Sequence, residues 1–302
     1  ARIISGAAAM TAAGSRIRSG GSTEAASTGS TGAAVVPARH GLKTRPAMEL
    51  VDDLRRRYLD LVRDSLTGIL NEDPALEERV GGGRNPFDRA KREAGKDWPA
   101  SALSMIGAKR MLQLQRASEF VIERGVPGDF IETGVWRGGA CILMRAVLAA
   151  WGVTDRRVWV ADSFQGLPEP DAARYPKDAG NMLCVFDQLA VSADEVRAGF
   201  ARFGLLDDQV RFLEGWFRDT LPSAPIDRLA ILRLDGDLYE STMDALVALY
   251  DKVSPGGIVI VDDYGILESC RAAVTDFRSQ RGVTETIYRI DDSGVHWQRS
   301  AG

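Results

Sequence analysis

Ile231-Leu232-Arg233-Leu234-Asp235-Gly236-Asp237 is an apolar run that stops at aspartate, and Gly257-Ile258-Val259-Ile260-Val261-Asp262-Asp263 is a second. Such runs are typical of buried parallel strands. In open α/β sheets, ligands bind outside the carboxyl ends of the strands. Aspartates gathered there favour a hard divalent cation, because oxygen ligands suit Mg²⁺ or Ca²⁺. The two stretches therefore predict an α/β fold with a metal-assisted active site.

Strand and helix patterns alternate around these runs, from residue 129 to the end of the chain. Strands are expected over 129–135, 158–161, 210–213, 229–234 and 257–261. Helices are expected over 139–150, 192–203, 241–251 and 267–278, with Ser192 and Ser241 as candidate N-caps. The runs 284–290 and 295–298 flank Asp291-Asp292-Ser293-Gly294, which is a hairpin signal. The pattern predicts a mostly parallel sheet with a C-terminal antiparallel hairpin.

The N-terminal part of the chain has a different character. Residues 1–36 are rich in Ala, Gly, Ser and Thr and lack periodicity, which is typical of a flexible segment. Apolar residues at helical spacing predict helices over 48–70 and 104–124.

The composition of the 302-residue chain excludes several classes of protein. A net charge of −4 gives no bias toward nucleic acid or an anionic membrane, and no apolar stretch reaches the length of a transmembrane helix. The three cysteines form no CxxC pair, which disfavours disulfides or structural zinc and favours a cytoplasmic location. Two histidines argue against zinc hydrolases and histidine triads.

A glycine-rich turn follows the first strand of the alternating region, at Glu132-Thr133-Gly134-Val135-Trp136-Arg137-Gly138-Gly139. Such a turn lets the backbone approach a ligand at a helix N-terminus. Asp162, at the end of the next strand, can accept both hydroxyls of a ribose. Together they favour a nucleoside-bearing ligand. The glycine spacing fits neither a dinucleotide fingerprint nor a P-loop, so an oxidoreductase is disfavoured.

Several stretches in this order resemble the macrocin O-methyltransferase family, which includes the mycinamicin and novobiocin sugar methyltransferases. The resemblance covers about Leu50 to the C-terminus. The stretches that carry it are 105–107, 130–139, 161–168, 215–222, 234–242 and 261–264. The resemblance implies a Rossmann-like class I methyltransferase sheet and Mg²⁺-dependent methyl transfer from S-adenosylmethionine. The implied acceptor is a sugar hydroxyl of a glycosylated small molecule, in antibiotic tailoring.

The resemblance also implies a domain division and a set of site residues. A flexible arm would occupy residues 1–45, a helical lid 46–125 and the methyltransferase domain 126–302. The implied metal ligands are Asp235, Asp262 and Asp263. The implied cofactor-binding residues are Met105, Glu132, Thr133, Gly134, Val135, Gly138, Asp162, Ser163, Gly215, Trp216 and Asp235. The general base is left open between Asp235 and Asp237.

Two other functions fit parts of the pattern. One is a metal-independent methyltransferase with Asp237 as base, and the other is a non-catalytic nucleoside-binding module. A pure binder needs no aspartate cluster at two strand ends, so the cluster favours an enzyme. The leucine-rich N-terminal helices predict a possible homo-oligomer.

Overall fold

The protein is described by a computed structural model that covers residues 46–77 and 83–300. The predicted arm, residues 1–45, lies outside the described residues. The helices are α1 (Ala47–Leu66), α2 (Arg89–Glu93), α3 (Gly107–Glu123), α4 (Gly139–Ala150), α5 (Ala193–Arg202), α6 (Phe217–Thr220), α7 (Tyr239–Leu249) and α8 (Glu268–Arg281). The strands are β1 (Ala75–Leu76), β2 (Arg84–Asn85), β3 (Trp98–Pro99), β4 (Asp129–Thr133), β5 (Val158–Asp162), β6 (Val210–Glu214), β7 (Leu229–Leu234), β8 (Val253–Val261), β9 (Tyr288–Arg289) and β10 (Val295–Gln298).

Seven strands form the main sheet, in the order β6-β5-β4-β7-β8-β10-β9. The first five are parallel, whereas β10 pairs antiparallel with both β8 and β9. This confirms the predicted Rossmann-like sheet with its C-terminal hairpin. A small antiparallel sheet, β2-β1-β3, was not predicted, because two-residue strands are too short to show an alternating pattern.

The sheet buries both of its faces because successive side chains of a strand point to opposite sides. Phe130 belongs to the apolar cluster that contains residues of α1, α3 and α4. Its neighbour Ile131 belongs to the cluster that contains residues of α7 and α8. This arrangement explains why the parallel strands read as continuous apolar runs in the sequence.

One predicted helix start is wrong, and another is confirmed. Ser192 caps α5, and a reciprocal bond from Glu195 completes a capping box. Ser241 is not a cap, because α7 already begins at Tyr239 and Ser241 lies in its first turn.

The strand register places the aspartates of the two opening runs side by side. Leu234 of β7 pairs with Thr133 of β4 on one side and with Val261 of β8 on the other. The residues that follow each strand therefore meet at one edge of the sheet. Gly134 has φ +89°, and a Cβ there would lie 1.9 Å from the carbonyl oxygen of Asp235. Only glycine allows this close approach between the two turns.

The N-terminal helices pack on the sheet domain rather than apart from it. Residues Arg45–Gly302 form one compact unit, and α1 and α3 contact α4. The lid role of residues 46–125 stays a prediction, as does the cytoplasmic location. Within 46–77 and 83–300, no helix has the length and apolar character needed to cross a membrane.

Candidate active site

A cavity of about 590 Å³ opens at the carboxyl edge of the parallel strands. It brings together most of the residues that the sequence predicted for the site. The predicted residues that line it are Met105, Glu132, Gly134, Val135, Asp162, Ser163, Trp216, Asp235, Asp237, Asp262 and Asp263. Thr133, Gly138 and Gly215 are not in its wall. They shape the surrounding turns: Gly138 is the left-handed N-cap of α4, and Gly215 donates to the Asp162 carbonyl over 2.9 Å.

Asp235, Asp262 and Asp263 form a compact group of carboxylates. One oxygen from each lies within 4.8 Å of the others. Oδ2 of Asp263 is buried without a hydrogen-bond partner among the described residues. Burial, and then the charges of Asp237 and Asp235, raise the pKa of Asp263 well above its usual value. An oxygen-only group with an unsatisfied buried acceptor fits Mg²⁺, which would relieve both the repulsion and the missing bond.

Asp237 lies beside this group but differs from it in its partners. Its φ of +61° places it in the left-handed region, which aspartate tolerates better than most residues. Its carbonyl oxygen accepts a 3.0 Å hydrogen bond from Ser269 Oγ. Burial and the nearby carboxylates of Asp235 and Asp262 raise its pKa well above the usual value.

Arg233 is a site residue that the sequence analysis missed. Its side chain is 1% exposed in β7, and it pairs with Glu132, Asp235 and Asp262. A buried arginine needs such partners. The signal was present in the sequence, since an arginine interrupts an otherwise apolar strand.

Arg110 of α3 is a second missed residue. Its guanidinium pairs with Asp262, and its Nε lies 3.2 Å from Oδ2 of Asp291, in the hairpin. It also donates to the Gly95 carbonyl over 3.3 Å. Arg110 therefore joins the carboxylate group to the N-terminal region. Nothing in its helical context distinguished it from a solvated arginine.

Asp162 holds the glycine-rich turn in place. Oδ2 accepts from the Val135 amide over 2.7 Å, and Oδ1 accepts from the Phe164 amide over 2.8 Å. Burial raises the pKa of Asp162, and these backbone donors oppose that rise. A carboxylate oxygen accepts more than one bond, so the predicted contact to a ribose remains available.

Glu132 is oriented differently from a simple cofactor ligand. Oε1 pairs with Arg233, and Oε2 accepts from Cys141 Sγ over 3.0 Å. Burial is the main cause that raises the pKa of Glu132 to about 7, and Arg233 opposes it. The protein thus already binds both oxygens of the carboxylate that was predicted to lie along the cofactor.

The strand order, the glycine turn and the acidic cavity define a Rossmann-like class I methyltransferase. Residues 51–299 match the family described as Macrocin-O-methyltransferase (TylF), so the chain belongs to that family and is an O-methyltransferase. The resemblance stated from the sequence motifs is confirmed.

Similar proteins support the same assignment. The chain is 52% identical, over 253 residues, to 8-demethyl-8-(2,3-dimethoxy-alpha-L-rhamnosyl)-tetracenomycin-C 4'-O-methyltransferase of Streptomyces olivaceus, covering 83% of this chain and 96% of that one. It is 52% identical, over 244 residues, to demethyldecarbamoylnovobiocin O-methyltransferase of Streptomyces niveus, covering 80% and 93%. The solved structure of the O-methyltransferase NovP superposes with a TM-score of 0.78 at 51% identity, covering 82% of this chain and all of that one.

Proposed function

We propose that the protein transfers the methyl group of S-adenosylmethionine to a sugar hydroxyl of a glycosylated natural product, with Mg²⁺, in antibiotic biosynthesis. The observation that carries the proposal is that one cavity joins the glycine turn and Asp162 to the carboxylate group. The name of one similar enzyme specifies a rhamnosyl tetracenomycin as its substrate, and the name of another specifies demethyldecarbamoylnovobiocin.

At the cofactor end, Asp162 would hold the ribose hydroxyls, while its bonds to the Val135 and Phe164 amides keep the turn rigid. Gly134 and Val135 would contact the methionine part, and Trp216 would border the adenine. Met105 reaches the same wall from the N-terminal region.

At the acceptor end, Asp235, Asp262 and Asp263 would hold the cation. When bound, Mg²⁺ would supply the positive charge that orients two sugar hydroxyls and lowers the pKa of one of them. Arg233 keeps the carboxylates of Asp235 and Asp262 in place from the buried side. A site fixed in this way would place the acceptor oxygen in line with the methyl group, and such positioning would supply much of the acceleration.

Asp237 is the better candidate for the general base. Asp235 is occupied by Arg233 and by its place in the ligand group. Among the described residues, no arginine or lysine pairs with the carboxylate of Asp237, and burial raises its pKa. A bound cation beside it would favour its charged form, which could then accept the hydroxyl proton. These contacts support Asp237 over Asp235 as the proposed base.

The test is methyl transfer, followed by mass spectrometry, with two acceptors: demethyldecarbamoylnovobiocin and the rhamnosyl tetracenomycin named above. We expect a 14 Da mass gain on at least one sugar, loss of turnover in EDTA and recovery with Mg²⁺. Asp237→Asn should reduce kcat on the order of 10²–10⁴-fold and leave Mg²⁺ affinity, measured by calorimetry, close to that of the wild type. Asp235→Asn should lower both kcat and the affinity for Mg²⁺. Full activity in EDTA would instead support the metal-independent alternative.

A homo-oligomer through α1 is the second part of the proposal. Val51, Leu54, Tyr58 and Leu61 are 38–55% exposed and follow one another at spacings of three, four and three residues. This is the spacing of a helix seam that packs against another helix. A second copy of α1 presents the same seam, as a symmetric contact requires.

A further inference from the structure

Segment 163–190, between β5 and α5, forms part of the cavity wall. It contains three short 3-10 turns, at Pro176–Asp178, Leu183–Val185 and Asp187–Leu189. Its side chains line the cavity at Leu167, Pro168, Leu183 and Leu189. The segment therefore borders the same cavity as the aspartates, yet it carries none of the carboxylates discussed above.

Asp178 of this segment is 1% exposed and reaches the N-terminus of α7. Oδ1 accepts from the Tyr239 amide over 2.6 Å, and Oδ2 accepts from the Glu240 amide over 3.1 Å. The residue at the N-cap position, Leu238, makes no side-chain cap bond. Asp178 therefore caps α7, although it lies about 60 residues before this helix in the sequence. A carboxylate is favoured at this helix end.

The capped end of α7 is also the end that carries the base. Asp237 precedes Tyr239 by two residues and has a left-handed backbone. Ser269 Oγ, from α8, donates to its carbonyl oxygen, and Asp178 accepts from the amides of Tyr239 and Glu240, two and three residues further along the chain. The conformation of Asp237 is therefore fixed from both sides of the turn.

We propose that Asp178 is a positioning residue that acts through the first turn of α7. It holds the base Asp237 in register with the acceptor and ties segment 163–190 to that base. The inference rests on the proposed function of Asp237. It adds that the position of this part of the cavity wall and the placement of the base depend on one carboxylate.

Hydrogen exchange tests the contact without any substrate. In Asp178→Ala, peptides that contain the amides of Tyr239 and Glu240, and peptides of segment 163–190, should exchange faster than in the wild type. The matched control is Asp171→Ala, an exposed carboxylate of the same segment whose side chain accepts from the Arg174 amide within that segment. The control should leave the α7 peptides unchanged. Unchanged exchange at α7 in Asp178→Ala would overturn the proposal.

Steady-state kinetics test the positioning role, with the glycoside that the wild type methylates as the substrate. Asp178→Ala should lower kcat on the order of 10–100-fold, because small displacements of a reacting group have such effects. Calorimetric affinity for S-adenosylhomocysteine should stay within about twofold. Asp178→Asn keeps one carbonyl acceptor and should recover part of kcat.

A wild-type kcat in Asp178→Ala would overturn the inference. So would an equal fall in kcat and cofactor affinity in both Asp178 variants, which would indicate general unfolding. If the wild type methylates neither glycoside, the proposed function fails, whereas the exchange experiment still decides whether Asp178 holds α7.

Discussion

Nη1 of Arg233 lies 2.7 Å from Oδ2 of Asp235, although Arg233 is in the fully buried strand β7 and Asp235 is in the cavity wall. The same guanidinium also pairs with Glu132 and Asp262. The buried guanidinium of Arg233 therefore holds two of the proposed metal ligands, Asp235 and Asp262. Attraction to these three carboxylates raises the pKa of Arg233 well above its usual value, against the effect of burial.

Replacement of Arg233 should therefore destabilise the protein strongly. Arg233→Met leaves buried carboxylates without their partner, and we expect a loss of about 3–5 kcal/mol in the free energy of unfolding. Urea denaturation measures it. The control is Arg228→Met, an arginine that is 63% exposed beside Asp227, which should change stability by less than about 0.5 kcal/mol. Equal stability of the two variants would contradict the buried network.

Asp263→Asn should have opposite effects on the metal-free and metal-loaded protein. Burial and the nearby Asp237, Asp235 and Asp262 raise the pKa of Asp263, so at neutral pH the carboxyl lowers the stability of the metal-free fold. The amide does not ionise and removes this cost, so the melting temperature in EDTA should rise. Mg²⁺ stabilises the wild type according to its affinity, and this gain should be largely lost in the variant. Asp219→Asn, at a 65% exposed carboxylate, is the control. A variant that Mg²⁺ stabilises as much as the wild type would rule out Asp263 as a ligand.

Glu132 should make stability depend on pH. Its pKa is about 7 in the folded protein against 4.5 without the fold. Between these values the folded state binds more protons than the unfolded state, so stability should fall as pH rises, by up to about 1.4 kcal/mol per pH unit. Glu132→Gln should remove this contribution. Urea unfolding of both proteins in EDTA at pH 5, 6 and 7 measures the difference, and parallel curves would refute the assignment.

The exposed seam of α1 should control the oligomeric state. Leu54 is 55% exposed, so Leu54→Glu should leave monomer stability within about 0.5 kcal/mol. It should nevertheless dissociate the oligomer, because it places a charge in the apolar seam. Analytical ultracentrifugation reports the mass, with Arg56→Glu on the neighbouring surface as the control. A wild type that sediments as a monomer would refute this part of the proposal.

The strands β4 to β8 show how far the local sequence pattern predicts the fold. Runs such as 229–234 are apolar along their whole length, and the strand of that range was confirmed without change. The two-residue strands β1 to β3 have no comparable pattern, because their pairing depends on partners distant in the chain. The wrong prediction that Ser241 caps α7 has the same cause. Asp178 caps this helix from a distant segment, and no motif near α7 in the sequence indicates it.

The sequence by itself determined the strand ends, the glycine turn and the positions of the aspartates, because buried parallel strands and tight turns leave short-range patterns. Family motifs then connected these residues to methyl transfer. Only the tertiary structure brought Arg110, Arg233 and Asp178 to them, since ion pairs and caps between distant segments depend on the sheet register. The structure also showed that two neighbouring carboxylates differ in their contacts: Asp235 pairs with Arg233, whereas among the described residues no arginine or lysine pairs with Asp237. The opening runs thus located the site, and the fold showed the contacts of each residue in it.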